Sequence, residues 1–275
     1  MMEMNLSPKD IEAFHADGVI PLRGVVDAEW QRVIADAIEA DIANPAPYFH
    51  GYEPEDGKGR FHGNLRTWEF HDGFRRFCFE SPLPRIAARI LDCSRVNLLY
   101  DQLFVKEPGT ANRTRWHNDQ PYWPVTGYQI LSFWVALDPT TAETGALEFV
   151  RGSHRWGRFY QPEVFGRANV EKYERNPDYV TVPDIESARN DYDIVSFDLE
   201  PGDVYAFHAL VLHGAGGNTS EQVRRRGYTA RYTGDDVIYS SHPGTNRALR
   251  NSLLTDGDRL DSDQYPLVWR SRPTR

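Results

Sequence analysis

The stretch Trp116-His117-Asn118-Asp119 sets an imidazole and a carboxylate two residues apart. Far downstream, Leu212-His213-Gly214 supplies a second imidazole, and the run Arg224-Arg225-Arg226 follows it. Two histidines and one carboxylate form the ligand set of a mononuclear Fe(II) centre that keeps coordination positions open. An arginine a short strand beyond the second histidine can hold a carboxylate of a bound co-substrate by a two-pronged hydrogen bond. That combination points to oxygen chemistry at iron. Zinc hydrolases also use two histidines and a carboxylate, so the ligand set alone leaves a non-redox metal enzyme open.

His-x-Asp is a weak signal by itself, and it occurs twice, at His15-Ala16-Asp17 and at His117-Asn118-Asp119. The first falls at the end of a predicted helix, where residues two apart diverge, so it is expected to be structural. The second is expected at a strand edge or extended turn, where residues two apart face the same side. His208 and His213 both fall in the last apolar strand, at opposite parity. His208 is expected to be a buried, hydrogen-bonded histidine. His213 is expected at the strand end, where Gly214, Gly216 and Gly217 let the chain turn and where sites form. His154 is expected to be a loop histidine near the rim. His50, His62, His71 and His242 have no partner at ligand spacing and are expected to be structural.

These residues need a scaffold. At 275 residues, one domain spanning 1–275 is expected. Hydrophobic content of 40% with 26% charged residues is that of a globular protein. A net charge of −9 argues against a nucleic-acid footprint and against attraction to an anionic membrane surface. Cys78 and Cys93 are the only cysteines, which excludes a disulfide framework or a cysteine-rich zinc site. Reduced thiols, the absence of a basic-then-apolar leader in Met1–Leu6 and the lack of a bilayer-length apolar run make a cytoplasmic location the expectation.

Residues 1–95 read as a mostly helical portion. Ser7-Pro8-Lys9-Asp10 opens a helix with a capping box, and Gly18 closes it. Val19 to Leu22 reads as a short strand. A second helix starts near Asp27, with Val33, Ile34, Ala37, Ile38 and Ile42 at helical spacing. Residues 44–66 read as a glycine-punctuated loop. Ser81-Pro82 caps another helix. From 96 to about 235 the pattern turns to strands: Val96–Val105, Tyr128–Leu137, Ala146–Val150, Ile194–Leu199, Val204–Leu212 and Gly227–Thr233. Short strands with Gly/Pro turns after a helical portion predict a mainly β double-stranded β-helix, a jelly-roll or cupin-like barrel, with helices packed outside. Residues 155–195 are expected to form a partly helical, lid-like insert. Phe49, Tyr52, Trp116, Tyr122 and Trp123 are candidates to line an apolar pocket.

At these residues the chain resembles the phytanoyl-CoA dioxygenase family of Fe(II)/2-oxoglutarate oxygenases. The likeness lies in Phe104-Val105-Lys106-Glu107-Pro108-Gly109, Trp116-His117-Asn118-Asp119-Gln120, Phe133-Trp134-Val135-Ala136-Leu137-Asp138, the segment Thr144 to His154, and Pro201-Gly202-Asp203 leading to His213-Gly214-Ala215-Gly216-Gly217-Asn218. The resemblance implies that His117, Asp119 and His213 bind Fe(II). It implies that Arg224 holds the distal carboxylate of 2-oxoglutarate, with Arg226, at the same strand parity, as fallback. It also implies that Gln102 and Trp134 line the co-substrate pocket. Arg151 stands where the family often has proline, at a position either to meet an anionic substrate or to sit solvated at the rim. The implied reaction consumes O2 and 2-oxoglutarate, releases succinate and CO2, and oxidises an unactivated C–H bond of a small organic molecule; the aromatic candidates for the pocket, not the family, suit an apolar or lipid-like substrate. A carboxylate at Asp119 favours hydroxylation, or a related desaturation or ring closure, over halogenation. The competing readings are a non-redox cupin-type metal enzyme and a binding jelly roll with a dead metal site.

Overall fold

The computed structural model of the chain describes residues 6–52, 54, 59–163 and 173–272. Helix α1 (Pro8–Asp17) opens on a capping box between Ser7 and Asp10 and ends at Gly18, whose φ of 82° is the left-handed value that glycine adopts without a Cβ penalty. Strand β1 (Val19–Leu22) follows, then α2 (Ala28–Ala43), capped by the Asp27 side chain on the Trp30 amide. Helices α3 (Asp72–Glu80) and α4 (Leu83–Leu91) complete the helical layer. Helix α3 was not foreseen in the sequence.

The segment expected to be loop holds β2 (His50–Tyr52) and β3 (Phe61–Leu65), which pair antiparallel. Backbone pairing of β3 to β4 (Arg95–Lys106), with β2 paired on the outer side of β3, stabilises them despite their glycines, and polar side chains leave no alternation to read. The remaining strands are β5 (Thr114–His117), β6 (Val125–Thr126), β7 (Ile130–Ala136), β8 (Leu147–Val150), β9 (Ile194–Ser196), β10 (Val204–His208), β11 (His213–Ala215), β12 (Arg225–Thr233), β13 (Ile238–Tyr239) and β14 (Leu267–Arg270). The main sheet runs β1-β10-β7-β12-β4-β3-β2, with β14 also on β4. A second sheet runs β5-β11-β8-β9, and β13 pairs with β6. The fold is the mainly β jelly roll expected, with helices outside.

Period-two alternation decides what each face of the main sheet does. Leu103, Val105, Leu131, Phe133, Val135, Val204, Ala206, Tyr228, Ala230 and Tyr232 join the apolar cluster under the helices. Tyr100, Gln102, Phe104, Lys106, Trp134, Phe207, Arg225, Thr229 and Arg231, from the same strands, line the interior cavity instead.

The single strand expected over 204–212 is two. β10 belongs to the main sheet; the chain then turns through 209–212, and β11 pairs with β5 and β8 in the other sheet. An apolar run continues across this jelly-roll corner because both strands and the turn are buried. In the region expected to form a lid, residues 164–172 lie outside the described residues. The rest is irregular, with a 3-10 turn at Arg189–Asp191 and a bridge from Tyr160 to Val180. Among the described residues no helix is long and apolar enough to cross a membrane.

Candidate metal centre

His117 ends β5 and His213 begins β11, directly across from it in register. Asp119 is not in the extended conformation the sequence suggested. Its φ/ψ of −77°/−42° is helical, and it starts the 3-10 turn Gln120–Tyr122. The amides of Asp119 and Gln120 both donate to the Ala209 carbonyl, at 2.9 and 3.1 Å, so the corner after β10 fixes the loop that carries the carboxylate.

One ligand atom from each of His117, Asp119 and His213 lies within 4.8 Å of the others. Nδ1 of His117 sits 2.8 Å from the Arg115 carbonyl, and Nδ1 of His213 sits 3.1 Å from that of Val211. Each ring therefore carries its proton on Nδ1 and turns the Nε2 lone pair inward. Both Nε2 atoms approach the same carboxylate oxygen, Asp119 Oδ1, at 3.3 and 3.8 Å. Oδ2 is held elsewhere, by Ser132 Oγ at 3.3 Å and beside Arg231 Nε at 3.5 Å. Burial alone would raise the Asp119 pKa. The charge of Arg231, then His213 and His117, outweighs it and holds the carboxyl well below its usual range. Burial, with His117 adjacent, pushes His213 down to about 3. An ionised carboxylate on Asp119 and a neutral imidazole on His213 are protonation states a divalent cation requires, and two imidazoles with one carboxylate form a donor set that fits Fe(II). Phe207 and Phe149 pack on His213 with ring centroids 4.9 and 5.9 Å away.

The centre opens into a cavity of about 550 Å³. Gln102 and Trp134 line it, as do Phe49, Tyr52, Tyr122 and Trp123. Trp116 does not: it packs with Val150, Tyr160, Ile185 and Leu212, and its Nε1 donates to Glu186 at 2.7 Å.

Arg224 requires a correction. Its guanidinium donates to Glu39 at 2.7 Å and to Glu107 at 2.5 Å, away from the cavity. Arg226 is no replacement, since Asp138 engages its Nε and Nη2 at 3.0 and 2.8 Å. The physical reason is strand parity. Odd-numbered residues of β12 face inward, and the arginine that lines the cavity is Arg225. Arg225 is 2% exposed, its guanidinium carbon lies 5.3 Å from the Trp134 ring centroid, and its buried Nε has no hydrogen-bond partner among the described residues. Burial lowers its pKa to about 10, so it is charged at neutral pH. The signal was present in the sequence: Tyr228, Ala230 and Tyr232 mark the apolar face, and counting back from them turns Arg225 inward.

Among the other histidines, His208 is buried as expected, bound through Nε2 to the Tyr128 carbonyl and through Nδ1 to the Leu210 amide. His154 is buried rather than on the rim, against His208 and 3.2 Å from the His15 carbonyl. His62 and His71 both bind the buried carboxylate of Asp41. His50, expected to be structural, lines the cavity and accepts from Gln102. His15 and Asp17 sit at the end of α1, outside the metal group. Arg151 faces Asp193 and Asp17 at the surface. Lys106, Arg231, Asn246 and Leu249 also line the cavity and were not foreseen.

Residues 14–227 match the model of the phytanoyl-CoA dioxygenase (PhyH) family, and the chain belongs to that family. Among curated relatives it is 32% identical over 226 residues to multifunctional dioxygenase prhA of Penicillium brasilianum, covering 78% of this chain and 68% of that protein. The crystal structure of SnoK, a non-heme alpha-ketoglutarate-dependent carbocyclase from nogalamycin biosynthesis, superposes with a TM-score of 0.75 at 22% identity, over 96% of this chain and 97% of SnoK. The epimerase SnoN, solved with Fe3+, alpha-ketoglutarate and nogalamycin RO, gives 0.71 at 22% identity, over 96% of this chain and all of SnoN.

Proposed function

We propose that this chain holds Fe(II) through His117, Asp119 and His213, receives 2-oxoglutarate with its distal carboxylate on Arg225, and oxidises an unactivated C–H bond of a small organic molecule. It is a 2-oxoglutarate-dependent dioxygenase by family. The observation that carries the residue assignment is the convergence of the three ligand atoms within 4.8 Å, at the inner end of a cavity that also contains Arg225.

When bound, Fe(II) supplies the redox chemistry that couples decarboxylation of 2-oxoglutarate to succinate and CO2 with oxygenation of the substrate by O2. The chain's own residues hold and orient the reactants. The Arg115 and Val211 carbonyls accept from Nδ1–H of both imidazoles and fix their ring orientation, with Nε2 turned inward. Ser132 fixes the rotation of Asp119 so that Oδ1 faces the histidines. Trp134 backs Arg225 and keeps water from its inner face. A carboxylate at Asp119 supports hydroxylation, or a related desaturation or ring closure.

The substrate we propose is apolar and ring-bearing. Phe49, Tyr52, Tyr122 and Tyr173, with Leu249, supply flat apolar surface around the cavity, which suits such a molecule. SnoN, on the same fold, was crystallised with nogalamycin RO. We also place the protein in the cytoplasm, a reading supported by the free thiols of Cys78 and Cys93.

The test is anaerobic incubation with Fe(II) and 2-oxoglutarate, followed by admission of air in the presence of a metabolite panel. Succinate that requires both iron and O2 is the expected product. Turnover of a substrate without O2 would favour the non-redox metal enzyme. Absence of succinate with every compound would favour a binding jelly roll.

A further inference from the structure

Lys106 ends β4 with its side chain in the cavity, directly opposite Arg225 in the register between β4 and β12. Like charges across from each other on one sheet face repel. Both residues are buried, Lys106 at 3% exposed. Among the described residues no acid offsets the lysine: the charges acting on it, Arg225 and then Arg113, are both positive. Arg113 is exposed at the rim and pairs with Glu186 at 3.1 Å. The one acid that lines the cavity among the described residues, Asp119, faces His117, His213 and Arg231.

A lysine so placed sheds its proton. Burial, then the two arginines, lowers its pKa to about 6. The neutral amine donates one N–H to the Gly216 carbonyl at 2.6 Å and keeps its lone pair for the cavity. A desolvated lysine beside other cations is a nucleophile. An electrophile arises in the same cavity, because decarboxylation of 2-oxoglutarate releases CO2 there.

We propose that Lys106 is a carbamylation site, at which Nζ takes up CO2 and the carbamate so formed pairs with Arg225. The lone pair of Nζ forms the N–C bond, a C=O π pair of CO2 moves onto oxygen, and one amine proton passes to water. Nothing is oxidised or reduced. The cations that disfavour the ammonium favour this anion. CO2 production here, and competition for Arg225, rest on the 2-oxoglutarate reading above. The carbamate and the distal carboxylate of 2-oxoglutarate need the same guanidinium, so CO2 opposes co-substrate binding. Bound 2-oxoglutarate in turn returns the amine to its protonated, unreactive form.

The test is covalent labelling rather than turnover. Metal-free protein is equilibrated with isotopically labelled bicarbonate at neutral pH, treated with triethyloxonium ion to fix any carbamate as its ester, and digested for mass spectrometry. Label on the Lys106 peptide is the expected result. R225M should lower the labelled fraction by at least about tenfold, as for a lost charge-assisted pair. An unlabelled Lys106, or one labelled no more than the exposed Lys9, would overturn the proposal. Regulation is read on Mn(II)-loaded protein, by titration of 2-oxoglutarate with bicarbonate or with chloride at equal pH and ionic strength. Bicarbonate should weaken binding severalfold in the wild type and not in K106M. No weakening in the wild type, or equal weakening in both as from a free anion, would overturn the regulatory role. The labelled peptide reads the site in the wild type itself, so the test holds if K106M does not fold. Labelled Lys106 in a protein that never makes succinate would sink the parent reading and keep the site; succinate with unlabelled Lys106 would do the reverse.

Discussion

Arg225 lies face-on to Trp134, 5.3 Å from the ring centroid, while Arg224 and Arg226 on either side of it are held by acids outside the cavity. Three identical side chains in a row thus have different environments. R225A should weaken 2-oxoglutarate binding by at least tenfold, the lower end for a lost charge-assisted pair of about 1.5–3 kcal/mol. R224A should leave it within about twofold, since a half-exposed ion pair contributes about 0–1 kcal/mol. Co-substrate titration of the two variants decides between them; a greater loss in R224A would return the role to the outer face.

Gly227 underlies the same arrangement. A Cβ there would lie 2.0 Å from Trp134 Cζ2. G227A must therefore push the indole aside, at about 1–3 kcal/mol of overpacking, and disturb the seat of Arg225. Thermal melting should show the destabilisation and titration a parallel loss of co-substrate affinity. The double variant G227A/W134F, with a smaller ring, should recover stability. No recovery would mean that the strain lies elsewhere.

Metal binding should be visible as stability. A cation at a hundred times its Kd contributes about 2.7 kcal/mol, which for a chain of this size is roughly 5–10 °C in Tm. Chelator should remove that increment, Fe(II) or Mn(II) added under argon should restore it, and D119A should show none. A D119A protein that still gains several degrees from metal would take Asp119 out of the ligand set.

Lys106 should make co-substrate binding depend on pH. Burial, with Arg225 and Arg113 nearby, pushes its ammonium down to about 6. Its amine is therefore mostly neutral at pH 7.5. An anion seated beside Arg225 would raise that pKa again, so binding should take up a proton from solvent. Affinity should increase as pH falls from 8 and level off below about 6, where the free protein is already protonated. Calorimetry in two buffers of different ionisation enthalpy measures the uptake. K106M should abolish it, and equal heats in both buffers for the wild type would remove Lys106 from the response.

The three residues that converge at the candidate metal centre were legible in the sequence because their chemistry is local: a His-x-Asp pair off a helix and a histidine beside glycines. The capping box at Ser7 and Asp10 and the stop at Gly18 were legible for the same reason, since each depends on a few neighbouring residues. The inward arginine was missed because the strand begins on charges, where no alternation is visible until Tyr228. Arg231, Asn246 and Leu249 were missed because their role is set by register between distant strands and by the return of the chain after β12. The break between β10 and β11 was hidden by burial on both sides of the corner, which left an unbroken apolar run. Helix α3 carries no side-chain cap hydrogen bond at its start, so the local signal that marked α1 and α2 was missing there.

The cavity wall has a divided origin. Its oxidising end is furnished by the two sheets, whereas Phe49 and Tyr52 come from the hairpin before β4, and Asn246 and Leu249 from the stretch after β13. Among the described residues, neither of those outlying segments contributes to the group of His117, Asp119 and His213. Exchange of residues in them can retune which molecule is admitted while the combustion chemistry stays intact, a division of labour by which one scaffold is refitted to new guests.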